Sequence, residues 1–238
     1  MRVAVADCRI DKAIERSLLG YADKLIKLPP FPALAAPVAS HPDMLLWSFE
    51  RVIVTHEDYS PLAKAAFDEL GSLGYEIRFS RERVTSIYPK DIRLNCAIVG
   101  RHVIANTKYT SQTIADVAKR NGLLMLDVKQ GYAKCSTVCV GNNAIITADT
   151  AIARKCQDAG IDALEVSHGS VRLDGYDTGF IGGASGATDK EVLFCGDISA
   201  HPDAQSITDF CLKYNKKPVS LSDEPLYDYG TVFFFESK

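Results

Sequence analysis

Short apolar, β-branched runs recur along the chain, each followed by a polar break and then by residues of helical period. Five such openings stand out: "VAVAD" from Val3, "VIVTHED" from Val52, "VIANTKY" from Val103, "AIITADT" from Ala144 and "VLFCGDIS" from Val192, at intervals of 49, 51, 41 and 48 residues. Regular recurrence of this kind marks a repeat architecture. The segments "SPLAKAAFDELGSLG" (60–74), "SQTIADVAKRNG" (111–122) and "TAIARKCQDAG" (150–160) predict amphipathic helices that start on Ser or Thr and stop on Gly. Each is followed by a strand-like piece, "YEIRF", "LLMLDV" or "ALEVS", and then by a third run.

Aligned on the first strands, the third runs are "PDMLLW" (42–47), "KDIRLN" (90–95), "AKCSTV" (133–138), "YDTGFI" (176–181) and "YDYGTV" (227–232). The polar position that opens each is Asp43, Asp91, Lys134, Asp177 and Asp228, so four carboxylates and one lysine share an expected slot. Five ββαβ units cannot bury their sheets singly, and closing them in a ring packs all five against a shared centre. The expected fold is a single α/β domain over 1–238, a five-fold pseudo-symmetric propeller with units at about 1–50, 51–100, 101–142, 143–190 and 191–238. In such a ring equivalent slots converge on the axis. Carboxylates crowded there cannot all stay ionised without a cation to share, so a small cationic ligand is expected.

Composition narrows the function classes. The 238 residues are 47% hydrophobic and 24% charged, enough for a sizeable core. A net charge of -3 and the lack of a basic, aromatic-laced block argue against nucleic acid and acidic membrane surfaces. No run approaches the roughly 20 apolar residues that span a bilayer, and the N-terminal stretch lacks the apolar segment of a secretory signal. Seven cysteines with no C-x-x-C pair read as free thiols of a reducing cytoplasm. Cys135 and Cys139 lack a second ligand pair, so no metal or other cofactor is expected. The sequence carries no signal for an oligomeric state.

The residues after the slot are Met44, Ile92, Cys135, Thr178 and Tyr229, and only Cys135 is a strong nucleophile. Lys134 precedes it, and a nearby cation can hold a thiolate. His41 ahead of Asp43 supplies the acid/base partner that a thiol nucleophile needs. Fivefold ββαβ repetition, "HPDM" and, two units later, "KCST" resemble the pentein superfamily of guanidino-group-modifying enzymes, which includes deiminases, dimethylarginine dimethylaminohydrolases and amidinotransferases. The resemblance implies a cysteine-dependent hydrolase or amidinotransferase-like enzyme acting on a small guanidinium or amidine compound. It implies Cys135 as nucleophile, His41 as acid/base and Asp43 as guanidinium-binding carboxylate. Two departures stand out. The cysteine lies in the third unit rather than the last, where Tyr229 occupies its place, and the usual Glu-Gly-Gly-Asp element is missing. A second carboxylate would then come from Asp177 or Asp228.

The alternative within the same fold is a non-catalytic ring used as a binding module, as in the ribosomal anti-association factor that shares it. A doubly wound nucleotide-binding domain is disfavoured because "CRIDKAIE", not G-x-G-x-x-G, follows "VAVAD". His201-Pro202-Asp203 is expected to start a helix without chemistry, and the glycines of "GFIGGASG" (179–186) to bring backbone close to the axis. His56, Glu57 and Asp58 are expected to face solvent. His168, in "SHGS", is a reserve acid/base residue.

Overall fold

The computed structural model describes residues 1–237. Along the chain, β1 (Arg2–Asp7), α1 (Lys12–Leu18) and β2 (Lys24–Leu28) come first, then the short helix α2 (Pro42–Leu45). There follow β3 (Leu46–Phe49), β4 (Val52–His56), α3 (Lys64–Ser72) and β5 (Glu76–Ser80), then β6 (Ala97–Val99), β7 (His102–Ala105), α4 (Gln112–Arg120) and β8 (Leu124–Asp127). The remainder comprises β9 (Thr137–Gly141), β10 (Ala144–Thr147), α5 (Thr150–Asp158), β11 (Asp162–Glu165), β12 (Ser185–Ala187), β13 (Glu191–Phe194), α6 (Ala204–Lys213), β14 (Lys217–Ser220) and β15 (Phe233–Glu236). No described helix is long and apolar enough to cross a membrane.

Each of the five expected first strands is the middle strand of a three-stranded sheet: β15-β1-β2, β3-β4-β5, β6-β7-β8, β9-β10-β11 and β12-β13-β14. The strand after each helix pairs parallel with it, as a crossover helix requires, and the third run of the preceding unit pairs antiparallel on its other side. Ser111 caps α4 as the sequence predicts, accepting from a backbone N–H of the first turn; α5 is capped by Asp149 rather than by Thr150, and α3 begins after Ala63, past Ser60, with no side-chain cap.

Alternation along the middle strands closes the ring. Val3 and Val5 share an apolar cluster with Ile53 of the second sheet, whereas Ala4 and Ala6 join Leu193 of the fifth. Val54 meets Val103 and Ala105; Ile104 meets Ile145; Ala144 and Ile146 meet Val192 and Phe194. There are thus five interfaces for five sheets, and every middle strand is buried on both faces. This is why those runs read as continuously apolar rather than alternating. The third strands face the axis, where they line a cavity with residues from all five of them. The first sheet contains both chain ends, with Arg2 opposite Glu236 and Val5 opposite Phe233.

Truncating a ring-interface side chain should be costly. Phe194→Ala, at a fully buried site, is expected to lose about 3–5 kcal/mol by denaturant unfolding. Leu124→Ala, 57% exposed in β8, should stay within about 0.5 kcal/mol of the parent.

Candidate functional site

The connections entering the third strands meet where the sheets converge. Pro42 opens the one-turn helix α2, which ends where β3 begins and leaves His41 and Asp43 buried ahead of that strand. Lys134 and Cys135 occupy the matching place ahead of β9. Asn95, ahead of β6, ties these two stretches together. Its Oδ1 accepts from the backbone N–H of Lys134 (2.7 Å) and Cys135 (3.2 Å), while its Nδ2 lies 3.0 Å from Cys135 Sγ and donates to the carbonyl of Asp43 (3.3 Å).

The acidic partners come from both ends of the chain. Asp7, the last residue of β1, accepts from the Arg9 guanidinium (2.9 Å to Nε), which also donates to the carbonyls of Ala36 and Pro37. Asp228 accepts from the backbone N–H of Phe180 and Gly230, each at 2.9 Å. His41 stands between these two acids, its Nε2 3.9 Å from Asp7 Oδ2 and its Nδ1 3.7 Å from Asp228 Oδ1. Thr231 donates to Asp43 Oδ2 (2.9 Å) and receives a hydrogen bond from Lys134 Nζ (3.0 Å).

The glycine-rich stretch fills the centre. A Cβ on Gly183 would lie 2.0 Å from Asp228 Oδ1, and one on Gly230, at φ 72°, would lie 2.1 Å from His41 Cβ. Backbone therefore occupies space that side chains would deny it, as expected for "GFIGGASG". Cys135 is 3% exposed, His41, Asp43 and Asp228 still less, and the cluster is sealed from solvent.

Burial sets the protonation states. His41 is pushed down to about 3, mainly by desolvation with the Arg9 charge adding to it. Asp228 is pushed up to about 7 by burial and by the neighbouring Asp43 charge. Asp43 is raised by burial, opposed by the Lys134 ammonium. The Cys135 thiol is held well above its ordinary value, first by burial and then by the charges of Asp43 and Asp228. The resting cluster thus holds a neutral imidazole and a neutral thiol. Two of its buried polar atoms, His41 Nδ1 and Asp43 Oδ1, have no hydrogen-bond partner.

Of the predicted residues, the structure gathers His41, Asp43, Lys134, Cys135 and Asp228. Asp91 is buried nearby and accepts from the Tyr132 hydroxyl (2.6 Å). Asp177 does not join them: it lies exposed in the loop before β12. The shared slot is also corrected. Asp43 and Lys134 each stand three residues ahead of the first residue of their strands, whereas Asp91, Asp177 and Asp228 lie further upstream, because the connections differ in length and one is a glycine loop. His56 is buried rather than solvent-facing, with Nε2 3.0 Å from the Met44 carbonyl oxygen, and burial pushes it down to about 4; Glu57 and Asp58 are exposed as expected. His201 accepts from the Asp203 N–H ahead of α6. His168 is exposed and lines a separate cavity of about 90 Å³ with Ser136, Phe180 and His201. Asp7, Asn95 and Thr231 were not foreseen; Asp7 alone carried a signal, as the acid ending the first apolar run.

A family model described as a family of unknown function, DUF6873, matches residues 5–233. The chain belongs to this family. No curated protein matches the DUF6873 chain in sequence. Among solved structures, a cysteine-to-serine mutant of DDAH from Pseudomonas aeruginosa, complexed with citrulline, aligns with a TM-score of 0.58 at 10% identity, covering 93% of this chain and 92% of that one. A dimethylarginine dimethylaminohydrolase adduct with S-methyl-L-thiocitrulline gives a TM-score of 0.57 at 10% identity over 93% and 92%. C. jejuni agmatine deiminase gives 0.52 at 9% over 92% and 87%. At such identities the likeness is one of fold. The chain shares the fold of these proteins, a five-unit α/β propeller, as its repeats suggested.

The two perturbed groups make opposite contributions to stability. Folded Asp228 keeps its proton up to about pH 7, whereas an unfolded aspartate loses it near 4, so stability falls as pH rises between those values. Folded His41 stays neutral down to about pH 3, whereas unfolded histidine takes a proton near 6.5, so stability falls as pH drops through that window. Between pH 6.5 and roughly 4 the slopes oppose each other. Asp228→Asn should expose the His41 slope, its melting temperature falling with acidification relative to His41→Gln, which should show the reverse. Thermal melts across that range check this, and parallel profiles for the two variants would contradict it.

Proposed function

We propose that this chain is a cysteine-dependent enzyme of C–N bond chemistry acting on a small guanidinium or amidinium cation, with Cys135 as nucleophile and His41 as proton carrier. The observation that carries the reading is the pair of unpartnered buried atoms, Asp43 Oδ1 and His41 Nδ1, in one cluster with a thiol. A buried carboxylate oxygen without a donor is costly, and a planar cation with paired N–H groups satisfies it. The same cation would lower the thiol from its raised resting value by replacing the repulsion of Asp43 and Asp228 with attraction.

The chemistry then follows. Cys135 Sγ adds to the central carbon, and neutral His41 takes the thiol proton and passes it to the departing amine. The C–N bond breaks and leaves on sulfur a thiouronium from a guanidinium, or a thioimidate from an amidinium. His41 next takes a proton from water, which attacks the same carbon; the C–S bond breaks, the sulfur regains a proton from His41, and a ureido product leaves, or an amide where the substrate was an amidinium. Asp43 and Asp228 hold the cation, Lys134 bears on Asp43 through Thr231, and Asn95 positions the thiol. Entry requires movement of the 179–183 loop, whose Gly183 N–H donates to the Cys135 carbonyl at 2.8 Å.

That closure also favours a second reading, a non-catalytic ring serving as a binding module. The Lys134 ammonium already opposes the charge of Asp43 and Asp228, so the folded ring stands without a bound cation.

Turnover of guanidinium and amidinium compounds, followed by ureido or amide product and by mass spectrometry of the acid-quenched Cys135 peptide, separates the readings. The enzyme reading expects product, a covalent mass increment on Cys135 during turnover that His41→Ala suppresses, and at least a thousandfold loss of rate in Cys135→Ser, about the scale of removing a nucleophile. Absence of product and adduct, or activity retained in Cys135→Ser, would overturn it in favour of the binding module.

A further inference from the structure

The axial cavity on the other side of Lys134 has no part in the chemistry above. It encloses about 210 Å³ and takes residues from all five inner strands and their approaches, among them Trp47, Cys96, Lys134, Ser185 and Thr231. Those five are buried, whereas Ser48, Ile98, Cys139, Ala187, Phe233 and Phe234, which line the same space, are partly exposed. The cavity is therefore a blind tube, open among the apolar side chains and closed at the polar end.

The closed end presents donors and no acid. Lys134 Nζ donates to the Thr137 carbonyl (3.2 Å) and to Thr231 Oγ1 (3.0 Å), which leaves a third N–H. Among the described residues no carboxylate lies within 4 Å of this ammonium, and Asp43 reaches it only through the Thr231 hydroxyl. The indole Nε1 of Trp47, a residue 2% exposed, has no hydrogen-bond partner. A buried ammonium with a spare proton and an orphaned N–H, lining one cavity, call for an acceptor. No carboxylate lines the cavity, and Asp43 and Asp228 belong to the sealed cluster rather than to its lining. Toward the mouth, Ile98, Val232, Phe233 and Phe234 offer an apolar wall.

We infer that the axial tube is a binding site for a small monocarboxylate with an apolar body, its head group on Lys134 and Trp47 and its body along Phe233 and Phe234. A dry cavity of about 150 Å³ takes benzene, so this tube holds a body of roughly six to eight heavy atoms. A fully ionised polyvalent anion is disfavoured because one ammonium would face two or more buried charges.

Trp47 is the only tryptophan in the chain and is thus a built-in reporter. The test is titration of its emission in the folded full-length chain with hexanoate, hexanol and hexylammonium at constant ionic strength. The expected result is a saturable change with hexanoate at low millimolar concentration or below, at least about tenfold weaker with hexanol, and none with hexylammonium. Lys134→Met should abolish the hexanoate response. Because that change strips Asp43 and Asp228 of their buried cation and could prevent folding, Ala187→Phe, which fills the tube and leaves Lys134 in place, serves as the second variant and should abolish it too. Equal responses to hexanoate and hexanol, no saturable response to hexanoate, or a response unchanged in Ala187→Phe would overturn the inference.

Discussion

Each sheet of this protein is only three strands wide, and its middle strand is apolar on both faces. Such a sheet must be covered twice, and nothing outside the repeats is available to do it. Val3 and Val5 therefore face one neighbour while Ala4 and Ala6 face the other, and the same division runs through every unit until the fifth meets the first. Cyclic closure follows from this two-sided demand. Closure in turn brings five connections to one axis, where polar side chains meet whether or not chemistry uses them.

The cost of that convergence falls on the charges. Asp7 is answered by Arg9, whose guanidinium also gathers the carbonyls of the 36–37 turn. Asp43 and Asp228 have no such direct partner and feel Lys134 from a distance, so burial raises both. His41 and Cys135 are pressed into their neutral forms by the same desolvation. A site built this way is quiet at rest: its nucleophile is protonated, its imidazole uncharged, and its surplus of acceptors is held by a glycine loop against the solvent.

The unit pattern was legible because it rests on local physics, apolar strand runs and capped helices at regular spacing. His41, Asp43 and Cys135 could be picked out because their residue types are unusual at strand mouths. Register was not legible. Aligning units on their first strands placed Asp177 beside Asp228, but a connection of different length carries Asp177 to the surface. His56 looked like the solvent end of a strand, yet a carbonyl from the neighbouring α2 turn draws it inside. Asn95 left no trace in the pattern at all, since an amide in "RLNCAIV" reads as a strand irregularity. Its value lies in holding two loops that are distant in sequence, which composition cannot report. Thr231, at φ 69°, was likewise hidden by its place after a glycine.

The first sheet joins β1 to β15 with Arg2 opposite Glu236, and Ser237 N–H donates to the Met1 carbonyl at 2.9 Å. The two strands are antiparallel, so their outer ends leave the ring side by side. Tension delivered through residues 1 and 237 would load this ladder one rung at a time, as in unzipping, rather than in shear across all rungs together. The ring is in this sense a belt whose buckle is its mechanically weakest point, although Val3, Val5 and Phe235 of the same two strands lie in its apolar core.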